Sequence, residues 1–167
     1  MSTITAEDVV RRVHRAVDAL IRADSFLFIA NANERSLTHR LAVYLEHEFP
    51  GFNVDCEYNR HYSQVKSISV PQESYVKPDD LNATTIFPDV VVHHRNSDED
   101  NLLIIEAKKS TGRADDWDRE KLNEYLAQLH SDVAMFVVFC TGSPVPTCKV
   151  ERIRPSHSAS GNMRRHP

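Results

Sequence analysis

The chain has little of what several common classes of protein require. Its three cysteines, Cys56, Cys140 and Cys148, are odd in number and show no CxxC spacing, which argues against a disulfide framework and against a zinc ribbon. Only four glycines occur, and none of them lies in a phosphate-cradling loop. No Ser-His-Asp or Cys-His arrangement can be ordered along the chain. Nucleophilic enzymes and nucleotide-binding folds are therefore disfavoured.

Long apolar runs and an excess of positive charge are also missing. No stretch approaches the roughly 20 apolar residues of a membrane span, and the N-terminus has no basic region followed by a long apolar stretch. We therefore expect a soluble, cytoplasmic protein with no membrane partner. The formal net charge of -4 argues against a protein that holds nucleic acid by bulk charge alone. A nucleic-acid partner would need a local basic patch.

The composition that remains is that of a globular domain. Hydrophobic residues make up 41% of the 167 residues and charged residues make up 26%, close to globular averages. This length suits one domain, which we place at residues 1–153. Residues 154–167 are small, polar and basic, and we predict that they form a disordered tail.

Hydrophobic periodicity predicts two helices ahead of any strand. Apolar residues recur at helical spacing within residues 1–24 and again over 33–49. The first group comprises Val10, Val13, Val17 and Leu20, and the second comprises Leu37, Leu41, Tyr44 and Leu45. Apolar and polar residues then alternate over 52–58, which predicts a half-buried strand. Residues 61–85 show no clear periodicity, and we interpret them as a mobile or lid-like insertion, although the run QVKSISV at 64–70 could itself form an extra strand.

The stretch IFPDVVVHHRNSDEDNLLIIEAKKS, residues 86–110, predicts a β-hairpin. Two short and almost wholly apolar runs surround an acidic turn, as expected for two antiparallel strands. His93 and His94 lie in the first strand, so one faces each side of the sheet, and we interpret both as structural.

A crossover helix and a central strand are predicted after the hairpin. Leu122, Leu126 and Leu129 share one helix face, and the run VAMFVVFC at 133–140 is apolar throughout. A helix between two strands of one sheet makes those strands parallel. The pattern indicates an α/β sandwich with a mixed sheet.

Charged residues stand at the ends of the two hairpin strands. Glu106 and Lys108 point to the same side, because side chains alternate along a strand. Asp89 opens the first strand, and an antiparallel hairpin brings it beside the end of the second. Two converging carboxylates repel each other unless a cation lies between them, and oxygen ligands suit magnesium or manganese. With Lys108 to orient or deprotonate a water, this set can hydrolyse a phosphodiester.

A fourth charged residue, Glu34, falls on the apolar stripe of the second helix. With about 100° per residue, it projects between Leu41 and Leu45 on the side that must face the sheet. We expect its carboxylate to join the same site, as an outer ligand or as the residue that holds a metal-bound water. In the alternative interpretation it is a first-turn acid favoured by the helix dipole.

Simpler interpretations also exist for the hairpin charges. Asp89 would be a turn residue after a proline, and Glu106 and Lys108 would form a solvated strand end with a cross-strand charge pair. Both simpler interpretations fall together if the hairpin register brings Asp89, Glu106 and Lys108 to one edge of the sheet.

At this point the sequence resembles a known family. The resemblance rests on Pro88 and Asp89, on the EAK run at 106–108, on the upstream helix with Glu34, and on the crossover helix before an apolar strand. Over residues 33–141 the sequence is similar to the PD-(D/E)xK nuclease superfamily. It implies a restriction-endonuclease-like three-layer sandwich, in which helices flank a central mixed β-sheet.

The resemblance also assigns roles to individual residues. A divalent metal, Mg²⁺ or Mn²⁺, would be held by Asp89, Glu106 and the backbone carbonyl of Ala107. Glu34 would assist at the metal, and Lys108 would assist the attacking water. The crossover helix carries EYLAQL in place of the Gln-then-Tyr spacing of the exonuclease branch. An exonuclease of that branch is therefore not implied.

The resemblance implies a metal-dependent nuclease, and most directly a DNA endonuclease of restriction, anti-phage defence or repair. DNA is favoured over RNA as the nucleic-acid partner. No sequence-reading module is recognisable, so a homodimer or a partner protein would supply targeting. The alternative is a catalytically inactive, nuclease-like binding or assembly subunit of a larger complex.

Four further residues are predicted to touch the substrate. Tyr58 and Arg60 lie near the same sheet edge, and Lys121 and Gln128 lie on the less apolar side of the crossover helix. Lys109 is expected to point away from the site, because of strand alternation.

Overall fold

The computed structural model describes three continuous helices and seven strands. The described residues are 4–57, 60–61, 64–65, 88–95, 101–111, 122–123, 126 and 131–154. The helices are α1 (Ala6–Ala23), α2 (Ser25–Ile29) and α3 (Glu34–Glu48). The strands are β1 (Asn53–Cys56), β2 (Arg60–His61), β3 (Gln64–Val65), β4 (Val90–His93), β5 (Asn101–Lys109), β6 (Val133–Cys140) and β7 (Thr147–Ile153).

Five of the strands form one mixed sheet. Their order is β1-β4-β5-β6-β7, and the short strands β2 and β3 pair with each other in a separate ribbon. The β4–β5 hairpin is antiparallel and the β5–β6 pair is parallel, as the sequence predicts. The other two pairs, β1–β4 and β6–β7, are antiparallel. The prediction of an α/β fold with a mixed sheet is confirmed.

The long helices begin at side-chain caps. The Thr5 hydroxyl accepts the backbone N–H of Asp8, and the Asp8 side chain accepts the N–H of Thr5, so that α1 starts with a capping box. Asn33 caps α3 by accepting the N–H of Ser36 at 2.8 Å. Gly51 adopts a φ of +93° three residues after Glu48, the last residue of that helix. Glycine is suited to this left-handed turn, which leads the chain into β1.

Apolar side chains pack on both faces of the sheet. Strand residues that alternate with one another belong to two different clusters, so the clusters lie on opposite faces. The larger cluster joins α1, α2 and α3 to the sheet residues Val90, Val92, Leu103, Ile105, Ala107, Met135, Val137 and Phe139. The smaller cluster contains Val91, Ile104, Ala134, Phe136, Ile153 and the helical residue Leu122, with Leu126 packed against it.

Two predicted features of the element order are wrong. Three helices rather than two precede the sheet, because Ser25–Ile29 forms the short helix α2. A fifth strand, β7, follows β6 and covers its outer side, although no strand is predicted there. Leu129, the insertion from 66 onward and the tail from 155 onward lie outside the described residues. Among the described helices, none is long and apolar enough to cross a membrane.

Candidate functional site

The hairpin register aligns the two acids of the predicted site. Val90 pairs with Ile105 across the β4–β5 hairpin, so the next step along each strand sets Asp89 opposite Glu106. The N–H of Glu57 donates to the carbonyl of Asp89 at 3.2 Å, which extends the β1–β4 pairing by one residue. Side chains directly opposite each other in an antiparallel pair have Cβ atoms about 4.5–5.5 Å apart. Asp89 and Glu106 are therefore neighbours on one face.

The Asp89 carboxylate is fixed by the backbone of β5. Its Oδ2 accepts the N–H of Ala107 at 2.7 Å. Strand β4 begins only at Val90, so the side chain occupies the position that a strand carbonyl would otherwise take. In an antiparallel ladder the N–H and C=O of one residue point to the same side. The Ala107 carbonyl therefore faces the side of β5 on which Asp89 lies.

Glu106 and Lys108 share the sheet face of the smaller cluster. Strand β5 is regular through Lys109 and pairs residue by residue with β6, with Glu106 beside Phe136. Glu106 is only 1% exposed, whereas Lys108 is half-buried near the end of the strand. Alternation sets both side chains on the face that also carries Ile104. A carboxylate this deeply buried is costly in a protein that gives it no chemical or structural role.

Glu34 reaches β5 from the helix side of the sheet. It is the first residue of α3 and is half-buried, and its Oε2 accepts the backbone N–H of Lys109 at 2.9 Å. Two strand residues span about 6.8 Å, so Glu34 binds β5 one such step beyond Asp89, with the Ala107 carbonyl between them. The Lys109 ammonium donates to the carbonyl of Asn31 at 3.1 Å, on the helix side.

This arrangement offers oxygen atoms from the carboxylates of Asp89 and Glu106 and from the carbonyl of Ala107 near the end of β5. Such a set suits a hard divalent cation that keeps several of its waters. Among the described residues, no group of three or more His, Cys, Asp or Glu side chains is arranged to hold a metal ion.

Three of the four predicted substrate contacts lie outside the described residues. Tyr58, Lys121 and Gln128 are outside the described residues, and Arg60 is described only as backbone in β2. Their substrate-binding roles stay predictions.

Sequence reasoning missed the contacts that hold the corner between α2 and α3. Asn31 has a φ of +53°, and its Oδ1 accepts the Thr141 hydroxyl at 2.8 Å. The N–H of Gly142 donates to the carbonyl of Phe28 at 2.9 Å. These bonds attach the corner to the end of β6, and the Lys109 side chain attaches it to β5. The only available signal is an asparagine after a helix, a residue that tolerates the left-handed conformation.

A second polar cluster lies at the other end of the β1–β4 pair. The Nε2 of His93, which is buried, lies 2.9 Å from Oδ2 of Asp55, and the Arg95 guanidinium binds both oxygens of that carboxylate. Burial raises the pKa of Asp55, but the hydrogen bonds from Arg95 and His93 outweigh it and lower the pKa below its ordinary value. His94 stacks on Phe52 with ring centroids 4.4 Å apart.

Replacing Asp55 is expected to change how stability depends on pH. Because the folded pKa of Asp55 is lowered, its contribution is complete above the ordinary pKa of 3.8 and is lost as pH falls through the folded value. Asp55→Asn should lower the free energy of unfolding by about 1–3 kcal/mol at neutral pH, since it removes charge-assisted hydrogen bonds. Urea unfolding of both proteins should show this difference shrinking below about pH 4.

The exposed Asp132 provides the control for this measurement. Asp132→Asn should leave the free energy of unfolding within about 0.5 kcal/mol of the wild-type value. A difference between wild type and Asp55→Asn that is the same at neutral and acidic pH would contradict the assignment.

Comparison with known proteins gives no family for this chain. No protein-family model, no curated protein and no solved structure matches it. A functional conclusion therefore has to rest on the residues and contacts described above.

Proposed function

We propose that this protein is a metal-dependent nuclease of the PD-(D/E)xK type with a restriction-endonuclease-like three-layer fold. The observation that carries the proposal is the 2.7 Å hydrogen bond from the Ala107 N–H to the Asp89 carboxylate. Together with the hairpin register, it supports a fixed position for Asp89 beside Glu106 at the end of β5. The substrate is a nucleic acid, with DNA favoured over RNA.

The residues present suit Mg²⁺ or Mn²⁺. Asp89, Glu106 and the Ala107 carbonyl would hold the ion, and Glu34 lies one strand step further along the same side of β5. A bound ion of this kind supplies a Lewis acid for the phosphoryl oxygen and lowers the pKa of a bound water.

The chain's own residues contribute orientation and charge. The N–H of Ala107 holds the Asp89 carboxylate in one orientation, and Glu106 is itself buried from bulk water. The Lys108 ammonium lies on the same face as Glu106. It is suited to orient a water for attack and to stabilise negative charge that develops on the phosphate.

The test is cleavage of supercoiled plasmid, linear duplex, single-stranded DNA and RNA, each with Mg²⁺ or Mn²⁺ and each with a chelator. We expect cleavage of plasmid with metal and none with chelator, because the chemistry depends on the ion. Cleavage that survives chelation would overturn the proposal. Binding of nucleic acid without cleavage under any metal would instead support a non-catalytic binding subunit.

Thermal unfolding gives a second measurement that does not depend on activity. At a metal concentration roughly ten times the dissociation constant, an ion that binds only the folded state stabilises it by about 1.4 kcal/mol. For a chain of this length, that gain raises the melting temperature by about 3–6 °C. A melting temperature unchanged by Mg²⁺ and by Mn²⁺ would argue against the site.

A further inference from the structure

An open groove adjoins the candidate metal site at the start of α3. Its volume is about 540 Å³, and the described residues that line it are Asn33, Glu34, Arg35, Ser36 and His39. Among these five residues the acid is Glu34, whose carboxylate already accepts the Lys109 N–H. The others offer a guanidinium, a hydroxyl, an amide and an imidazole. Apart from Glu34, this lining suits an anion more than a cation.

Arg35 extends from this groove toward Glu57, the residue that follows β1. Its side chain is 87% exposed, and its Nε lies 3.3 Å from Oε1 of Glu57, which is itself 58% exposed. An ion pair this exposed stabilises a fold very little. The same exposure leaves the guanidinium accessible to a ligand that can replace the carboxylate.

Glu57 connects Arg35 to the candidate catalytic residues. It has a φ of +49°, a left-handed conformation that is costly for a residue with a side chain. Its N–H donates to the carbonyl of Asp89 at 3.2 Å. Arg35 is therefore held by a residue that is bonded directly to Asp89.

We propose that Arg35 binds a phosphate of the nucleic-acid backbone beside the cleavage site, and that Glu57 occupies the guanidinium until the nucleic acid arrives. This inference rests on the proposed nuclease function. A guanidinium can bind two phosphate oxygens at once, and in this structure it is held at Glu57 through Nε at 3.3 Å. The phosphodiester would replace the carboxylate, and the backbone of the substrate would follow the groove toward Asp89.

The experiment measures binding of a short fluorescein-labelled DNA duplex to the full chain by fluorescence anisotropy, in chelator so that no cleavage occurs. Arg35→Ala should weaken binding about three- to tenfold at low salt. It should also reduce the slope of log affinity against log salt by about 0.9, the value for one phosphate contact. Glu57→Gln should tighten binding, because it releases the guanidinium while keeping the shape of the side chain.

Arg11 is the matched control. It is also an exposed arginine paired with a carboxylate, Asp8, but it lies in the first turns of α1. There Glu7 contacts Arg152 near the end of β7, at the opposite end of the sheet from the site. Arg11→Ala should leave both the affinity and the salt slope unchanged.

The outcomes separate this inference from the proposed function. If Arg35→Ala matches wild type in affinity and salt slope, the inference is overturned, even where the wild-type protein cleaves DNA with metal. If Arg35→Ala weakens binding and lowers the salt slope but no metal produces cleavage, the phosphate contact stands and the nuclease proposal fails. Circular dichroism and thermal unfolding of each variant establish that the fold is retained.

Discussion

Asp89→Asn is expected to slow metal-dependent cleavage of plasmid by about a thousandfold while leaving the fold intact. The asparagine carbonyl can still accept the Ala107 N–H, so the hydrogen bond that anchors position 89 survives. What disappears is one of the negative charges that would hold the cation. Cleavage rates and melting temperatures of the two proteins, with metal and with chelator, test both parts.

Lys108→Ala separates metal binding from chemistry. We expect a loss of about a hundred- to ten-thousandfold in cleavage rate, because the ammonium no longer assists the water or the phosphate. The rise in melting temperature with Mg²⁺ should survive in Lys108→Ala and be lost in Asp89→Asn. Lys149, an exposed lysine of β7, is the control, and Lys149→Ala should cleave at the wild-type rate. Wild-type cleavage by Asp89→Asn or Lys108→Ala would sink the assignment of the site.

The hairpin could be predicted from the sequence because two short apolar runs flank an acidic turn, the pattern of two strands that are buried on both faces. Such strands carry no apolar–polar alternation, so a slip of one residue would still place apolar side chains on both faces, and periodicity alone does not fix the pairing. In the structure Val90 pairs with Ile105, and this register sets Asp89 opposite Glu106. The position of Glu34 could be predicted because the apolar stripe of α3 determines which way its first residue faces.

The elements that were missed are those whose stability comes from contacts distant in sequence. Helix α2 has five residues, too few to show a helical period or to be stable in isolation. Strand β7 alternates exposed residues such as Lys149 with the half-buried Cys148 and Val150. Its pattern is weak because a cysteine and a single valine supply most of its inward side.

The details of the site show the same limit. The left-handed conformations of Asn31 and Glu57 depend on partners in other elements, Thr141 for one and Asp89 for the other. For Asn31 the local signal is no more than an asparagine after a helix, and for Glu57, which follows an ordinary strand, there is none. Helical and strand periodicity determine which face a carboxylate occupies, whereas the hydrogen bonds that orient it depend on the packed structure.

The carboxylates of Asp89 and Glu34 continue the hydrogen bonding of β5 past Val90, where β4 begins. Asp89 accepts the N–H of Ala107 and Glu34 accepts the N–H of Lys109, two backbone groups on the same side of one strand. A continuous β4 would use those positions for its own carbonyls and would fill the space beside them. Because the strand stops, carboxylates from a turn and a helix take over the ladder. Because β4 begins only at Val90, this end of β5 is left to side-chain carboxylates.

Helix α2 holds the corner from which Glu34 extends, and Phe28 anchors this helix to the sheet. Phe28 is fully buried, and its ring lies edge-to-face on Phe139 with centroids 6.1 Å apart. Phe28→Ala is expected to lower the free energy of unfolding by about 3–5 kcal/mol, as measured by urea unfolding, because it removes that packing and leaves a cavity.

Phe26 offers a control of the same residue type in the same helix. It is 74% exposed, so Phe26→Ala should change the free energy of unfolding by no more than about 0.5 kcal/mol. Phe28→Leu keeps most of the apolar volume and should fall between the two alanine variants. Equal effects of Phe26→Ala and Phe28→Ala would mean that α2 does not dock on the sheet. That result would contradict the attachment of the α2–α3 corner to the sheet, and with it the contact of Glu34 with β5.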